Sequence, residues 1–376
     1  MLFVTETKTG ERIEYRDTKR YLWLLALTVP LSPVLSVWLY FATGQHPLAL
    51  TFAFFYAYIA IPVLDWIFGE DEHNPPHEIL EQMAEDNYYR YLLYAAVPLF
   101  WLGFLVPAWL VGTQDIPLWA MLFLALSVGQ INGTALTVGH ELGHKQGRLD
   151  QWMAKFACAV SGYGHFCIEH NRGHHTHVAT PEDCASSRFN ESIYAFARRE
   201  LPGALARGWA NETKRLERRG LSFWHWRNDI LQGYAIWLLA AVALVIAFGF
   251  HVIPFIIICS LSGWYALTQA NYVEHYGLKR QRMENGRYEP CAPHHSWNTN
   301  HIVSNLMLFH LQRHSDHHAN PLRPYQSLRN FDELPRLPSG YPGSFWLAGI
   351  PPLWFRIMNP KVMKWADGDM SRVNTG

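Results

Sequence analysis

Cysteine is sparse and unpatterned in this chain, which removes two structural classes at once. The five cysteines, at 158, 167, 184, 259 and 291, form no CxxC pair, so neither a zinc ribbon nor a disulfide framework is expected. They are read as reduced and buried. Net charge is missing too: 31 Lys and Arg balance 31 Asp and Glu. No basic stretch is interleaved with aromatics, so nucleic acid is not an expected partner. The chain shows no internal repeat and no low-complexity segment. Its first twenty residues are hydrophilic, and no signal peptide is expected ahead of the first apolar run.

What the chain has in quantity is long apolar runs. Residues 21–43, 48–64, 91–113 and 116–139 carry no charge, and 231–273 is uncharged apart from His251. A hydrocarbon core of roughly 30 Å takes about 20 apolar residues per helix. The first four runs therefore read as single spans, and the last as two joined by a turn at GFHVIP, 249–254. Buried helices of a soluble protein are a poorer reading, because core helices of that length keep a polar face. The fold expected is all-α: a polytopic membrane protein with six transmembrane helices and a cytoplasmic histidine-rich cap. Its segments are 1–139 (N-terminal stretch and spans one to four), 140–230 (cytoplasmic), 231–273 (spans five and six) and 274–376 (cytoplasmic), built as one integrated domain. The short connections 44–47, 114–115 and 249–252 hold no Lys or Arg. The positive-inside rule then puts both termini and the large polar segments in the cytoplasm.

The twenty histidines are clustered. His140 and His144 lie in HELGHK, His170, His174 and His175 in EHNRGHH, and His314, His317 and His318 in LQRHSDHH, with His275 alone in NYVEHYGL. Within each cluster the spacing is i, i+3 or i+4, which shares a helix face. The fourth and sixth spans run straight into His140 and His275, so two membrane helices bring imidazoles to one depth. H-E-x-x-H is also a zinc-protease pattern. A catalytic zinc needs only three protein ligands, however, and that reading strands most of the histidines. Nine imidazoles suffice for two metals at four or five ligands each. Imidazole alone does not choose among zinc, copper, iron and nickel, although an all-nitrogen site beside lipid suits iron that activates oxygen. A metal transporter would place polar ligands within the spans, which are almost free of them.

HELGHK, EHNRGHH, LQRHSDHH and NYVEHYGL together resemble the signature boxes of the integral-membrane alkane 1-monooxygenases. The resemblance runs from the first span to about residue 330 and includes HVATPEDCASSR. Three boxes alone are shared with membrane fatty-acyl desaturases and sterol-type hydroxylases; NYVEHYGL and the lysine after HELGH discriminate. Xylene monooxygenases are close relatives. The resemblance implies a non-haem diiron enzyme of the bacterial inner membrane. One oxygen atom of O2 enters the terminal methyl of a medium-chain linear alkane from the bilayer, and the other is reduced to water. It implies two iron ions held by His140, His144, His170, His174, His175, His275, His314, His317 and His318. It implies electrons from rubredoxin, itself reduced by an NADH-dependent reductase. The chain has no CxxCG pair, so that donor is expected to be a separate protein or domain. The nearest rival is a desaturase or hydroxylase acting on fatty-acyl chains.

Carboxylates beside the boxes, Glu141, Glu169, Glu274, Asp183 and Asp316, are candidate acceptors for the outward imidazole N–H groups. Glu141, Glu274 and Asp316 are favoured, whereas a turn or cap role after Pro181 is the simpler reading of Asp183. His165, His177, His294, His295, His301 and His310 lie near the boxes, and a surface or hydrogen-bonded histidine is the simpler reading of each. Arg172 and Arg313 are expected to anchor carboxylates or face the donor, and Lys145 to pair with an acid. An alkane has no polar handle, so recognition calls for an apolar slot opening to lipid, lined from spans one, two, three, four and six. The arginine-rich stretch 198–219 is a candidate docking patch for an acidic donor, with an ordinary solvated helix as the simpler alternative.

Overall fold

The computed structural model describes residues 1–7 and 9–376. Among the described residues, six helices are long and apolar enough to cross a membrane: Leu22–Ala42, Pro47–Phe68, Asn87–Thr113, Leu118–Gly143, Asp229–Phe248 and Phe250–His275. They are called the first to sixth spans. The third starts before the uncharged run, because Asp86 caps it by accepting from the Tyr88 N–H at 2.9 Å. The fifth is capped by Asn228, whose side chain accepts from the N–H groups of Ile230 and Leu231. It ends at Gly249 with φ +91°, a left-handed conformation that glycine adopts freely.

The fourth and sixth spans pack most closely. A Cβ on Gly129 would collide with the Cys259 carbonyl, and one on Gly133 with the Ala266 side chain. Small residues four apart let two backbones approach where lipid supplies no hydrophobic drive. The approach brings polar groups into reach: Ser262 Oγ donates to the Leu126 carbonyl at 2.8 Å, and Gln130 Nε2 to the Ser262 carbonyl at 3.0 Å. At depth, groups without water must be satisfied this way. The fourth span changes register at Thr134, whose N–H bonds back three residues to Ile131 at 3.0 Å. The helix then resumes over Ala135–Gly143 and carries His140 in its last turn, with His144 as the residue that closes it.

The remaining elements gather over that end of the bundle. The helix Ile193–Glu217 packs on the sixth span, and the C-terminal helix Pro351–Trp365 covers Tyr272 and Tyr276 with Trp354, Met358 and Val362. One element departs from the all-α expectation. Strands β1 (Leu2–Glu6) and β2 (Arg12–Arg16) form an antiparallel hairpin with Phe3 opposite Tyr15. Phe3, Ile13 and Tyr15 cover Ile79 and Met83. Three apolar residues at alternate positions are enough once a neighbouring segment completes the face.

Gly129→Val should cost about 1–3 kcal/mol by overpacking and lower the thermal midpoint of the detergent-purified protein. Leu238→Val, at an exposed position on the fifth span, should leave it unchanged.

Candidate metal centre

The nine histidines converge into two groups. His140, His144, His170, His175 and His317 form one, and His174, His275, His314 and His318 the other, with the ligand-type atoms of each group within 4.8 Å of one another. The groups are adjacent: the rings of His175 and His318 are 4.6 Å apart. Segments and groups are interleaved. EHNRGHH sends His170 and His175 to one group and His174 to the other, and LQRHSDHH divides likewise. Local geometry explains this. Residues His170–His174 form a wide π-helical turn, in which positions five apart share a face, and His170 and His175 meet with Nε2 atoms 3.0 Å apart. His314 and His318, one α-turn apart, meet at 2.8 Å. His175 meets His317 at 3.1 Å and His174 meets His318 at 3.2 Å, again through Nε2.

Such contacts require explanation. A neutral imidazole offers one donor and one acceptor, and Nε2 of His140, His144 and His275 is buried with no hydrogen-bond partner. Burial, aided by neighbouring imidazoles, holds His170, His314, His317 and His318 well below the usual histidine range, and with Lys145 nearby it holds His144 down to about 4. At neutral pH these rings are uncharged with lone pairs free, the form that binds metal. Burial also opposes charge on His174, but Asp183 overrides it and raises that ring. Convergent, largely buried imidazole nitrogens are a donor set that fits a metal centre, one cation per group.

The carboxylates are placed differently from one another. Asp183, buried, accepts from His174 Nδ1 at 2.9 Å, Ser186 Oγ at 2.6 Å and Arg207 Nη2 at 2.7 Å. It also makes the turn expected of it, through the Ala185 N–H at 3.1 Å. Its hold on the ring fixes the tautomer that turns Nε2 inward. Of the three favoured acids, only Glu274 reaches an imidazole. Its Oε2 lies 3.2 Å from His314 Nε2, the inward nitrogen, and its Oε1 accepts from Tyr341 OH at 2.7 Å. Glu141 pairs with Lys145 at 3.0 Å. Asp316 accepts from Asn320, Arg323 and the Arg329 N–H, and so folds the loop after the last box. Glu169 is held by Arg207 Nε at 2.8 Å. Sequence reasoning did not reach Arg207 or Tyr341. Both lie more than twenty residues from the groups they touch, on elements with no histidine pattern.

The other histidines stay outside the two groups. His310 Nδ1 lies 3.0 Å from the Tyr325 carbonyl, His165 Nδ1 lies 2.7 Å from Tyr234 OH, and His301 Nδ1 lies 2.6 Å from Thr299 Oγ1. His295 accepts from the Ala292 N–H and contacts Glu289, while His177 and His294 are exposed. Arg313 departs from expectation: buried, it binds backbone carbonyls, those of Asp71 at 2.6 Å and Leu328 at 2.8 Å. Arg172 is exposed. Arg215 is engaged by Glu212 and Asp229, so the 198–219 stretch is partly structural.

An apolar chamber meets the groups from inside the bundle. His140, His170, His314 and Glu274 form one end, and Leu136, Phe166, Ala266 and Leu308 are among its walls. Among the described residues, none of the first or third span lines it, contrary to expectation; the segments around Leu308 and Tyr341 take that place.

Comparison with known proteins agrees with this architecture. The fatty acid desaturase family model matches residues 117–348, the stretch that carries all nine histidines, and sets the class of membrane protein. Across 362 residues the chain is 52% identical to an alkane 1-monooxygenase of Pseudomonas putida, covering 96% of this chain and 89% of that one. Identity to alkane 1-monooxygenase 1 of Alcanivorax borkumensis is 49% over 361 residues, with the same coverage. The hydroxylase component of a xylene/toluene monooxygenase from Pseudomonas putida is 30% identical over 243 residues, 64% of each chain. The chain belongs to the alkane 1-monooxygenase family.

Asp183→Asn should weaken metal retention by roughly 10- to 100-fold, the usual cost of losing a partner that orients a ligand. Glu141→Gln, whose carboxylate pairs with Lys145 rather than with an imidazole, should retain metal. Metal analysis after graded exposure to chelator separates the two.

Proposed function

We propose that this protein is a non-haem diiron monooxygenase that hydroxylates the terminal methyl of medium-chain linear alkanes to 1-alkanols. It uses O2 and electrons from rubredoxin, which an NADH-dependent reductase supplies. The observation that carries the reading is the meeting of an apolar chamber with two groups of convergent, largely buried imidazoles. His140, His144, His170, His175 and His317 would hold one iron, and His174, His275, His314 and His318 the other. Iron bound there supplies the activation of O2 needed to oxidise an unactivated C–H bond.

The chain's own contribution is positioning. The chamber gives a hydrocarbon end largely apolar walls that lead to His140, His170 and His314, so a terminal methyl is favoured there over a polar group. Asp183 keeps His174 turned inward. Tyr341 OH donates to Glu274 at the chamber's polar end and orients that carboxylate beside His314.

Electrons have a short way to travel. In the segment 170–177, Arg172, Thr176 and His177 are exposed while His170 and His174 are buried, so the histidine groups lie just beneath that surface. Rubredoxins are acidic as a class, and the exposed Arg172, Arg218 and Arg219 give this side the complementary charge for rapid encounter. The lysines and arginines all lie outside the short connections 44–47, 114–115 and 249–252. This supports an inner-membrane orientation with both termini and the histidine-rich side cytoplasmic.

Protein in lipid nanodiscs, given rubredoxin, reductase, NADH and octane, should form 1-octanol and contain about two irons per chain. An unsaturated acyl product instead would favour the desaturase alternative, and a single zinc would overturn the metal assignment. His275→Ala should lose one iron and at least roughly 100-fold in turnover, beyond the usual effect of losing an orienting partner.

A further inference from the structure

The segment between the first and second histidine boxes does not stay above the bundle. Its helix, Arg148–Ala159, starts beside the histidine end of the third span, where buried Asp150 accepts from Arg90 Nε at 2.7 Å and from Tyr94 OH at 2.6 Å. It then runs down alongside that span, and the Phe156 carbonyl accepts from Trp101 Nε1 at 3.1 Å. At the helical rise per residue, Trp101 lies about 20 Å from Asn87, the first residue of the span. The turn that follows also lies deep. Trp264 Nε1, about 16 Å into the sixth span from His275, donates to the Ser161 carbonyl at 3.0 Å. A Cβ on Gly162 would meet the indole of Trp237, about 12 Å into the fifth span from Asp229. The return arm Phe166–Glu169 then climbs to His170.

Backbone and side chains of this hairpin suit a setting without water. Gly162 takes φ +68°, which brings its N–H to the Ala159 carbonyl at 2.9 Å and the Tyr163 N–H to the Cys158 carbonyl at 3.1 Å. That pair of bonds closes a helix end without solvent. Polar side chains turn inward or back toward the end of the bundle. Gln151 Nε2 donates to the Lys145 carbonyl at 2.5 Å, and Lys155 Nζ reaches Asp229, the first residue of the fifth span, at 2.7 Å, as a lysine rooted below an interface does. Among residues 149–170 only Leu149, Trp152 and Phe156 are exposed. They share one helix face at i, i+3 and i+7, whereas a helix face turned to water is polar. Leu105, one turn beyond Trp101 on the third span, is exposed as well, so the face continues the span surface that lipid covers.

We propose that residues 148–169 form a re-entrant hairpin inserted into the leaflet on the histidine side of the membrane, and that Leu149, Trp152 and Phe156 are a lipid-binding face occupied by phospholipid acyl chains. Part of the 140–230 segment then lies within the bilayer and not in the cytoplasm. A hydrocarbon core of roughly 30 Å has leaflets about 15 Å deep, so a tip that meets the fifth and sixth spans about 12 to 16 Å from their histidine-side ends stays within one leaflet. Irregular backbone is tolerated at that depth where protein buries it, and residues 161–163 are buried. The return arm leads into the second histidine box, and its Phe166 is a wall of the inner chamber. Lipid thus completes the element on which His170, His174 and His175 are mounted. The face requires only that the spans cross a bilayer, whatever reaction the histidines serve.

Spin labels on Leu149→Cys, Trp152→Cys and Phe156→Cys in lipid nanodiscs test this, with Glu217→Cys as an exposed position on the helix Ile193–Glu217. Collisions with dissolved oxygen, which partitions into hydrocarbon, are compared with collisions with a water-soluble nickel chelate. The oxygen-to-nickel ratio should be severalfold higher at the three hairpin positions than at Glu217→Cys, and highest at Phe156→Cys. The five native cysteines, none of them exposed, set the background in the unsubstituted protein. In that protein, with no substitution to disturb folding, a phosphatidylcholine carrying a diazirine on its acyl chain should photolabel residues 149–156. A ratio at all three positions equal to that at Glu217→Cys overturns the proposal, as does photolabel found on the six spans and absent from the hairpin.

Discussion

The convergence of nine imidazoles is the constraint around which this protein is built. Rings packed with Nε2 atoms as close as 2.8 Å, leaving Nε2 of His140, His144 and His275 buried without a hydrogen-bond partner, do not assemble on their own account. Other interactions hold them there. Arg313 ties the third box to backbone carbonyls of two other segments, Asp316 closes the loop behind it through Arg323, and Asp183 grips His174 from outside. Each is a buried charge with several partners, the arrangement in which ionic groups at depth are tolerable. Removing one partner leaves the others uncompensated, so the scaffold is stiff where the donors need it.

The membrane helices set the depth at which those donors meet. Glycines at 129 and 133 bring the fourth span against the sixth, and the register change at Thr134 precedes the turn that presents His140. His275 arrives as the last residue of its helix. Depth is thus fixed by backbone contact between two spans, while the remaining histidines come from polar segments folded over the end. This division sets the histidine groups between the apolar chamber on one side and the exposed segment around Arg172 and His177 on the other.

Much of this was legible in the chain itself. Spans of roughly 20 apolar residues and histidines at helical spacing are local signals, and the structure places six long apolar helices and two histidine groups accordingly. Relations between distant segments were harder to read. That Asp183, nine residues beyond His174, returns to its ring depends on a turn through Ser186 and on Arg207 arriving from the helix Ile193–Glu217. Glu141 and Asp316 adjoin ligand-type histidines in sequence, yet the helical turn points each toward a cation, Lys145 and Arg323, because side chains one position apart do not share a helix face. Tyr341 carries no pattern at all. The contact of Gly129 and Gly133 with the sixth span joins segments more than a hundred residues apart and was not read from the sequence.

The interleaving of the two histidine groups has a bearing on how the centre can come into being. Because the turn His170–His174 and the helix His314–Ala319 each feed both groups, neither pocket belongs to one half of the polypeptide. A nascent chain that has emerged only as far as the sixth span owns parts of two pockets and the whole of none. Both pockets are therefore completed only by the carboxy-terminal third, which supplies His314, His317 and His318.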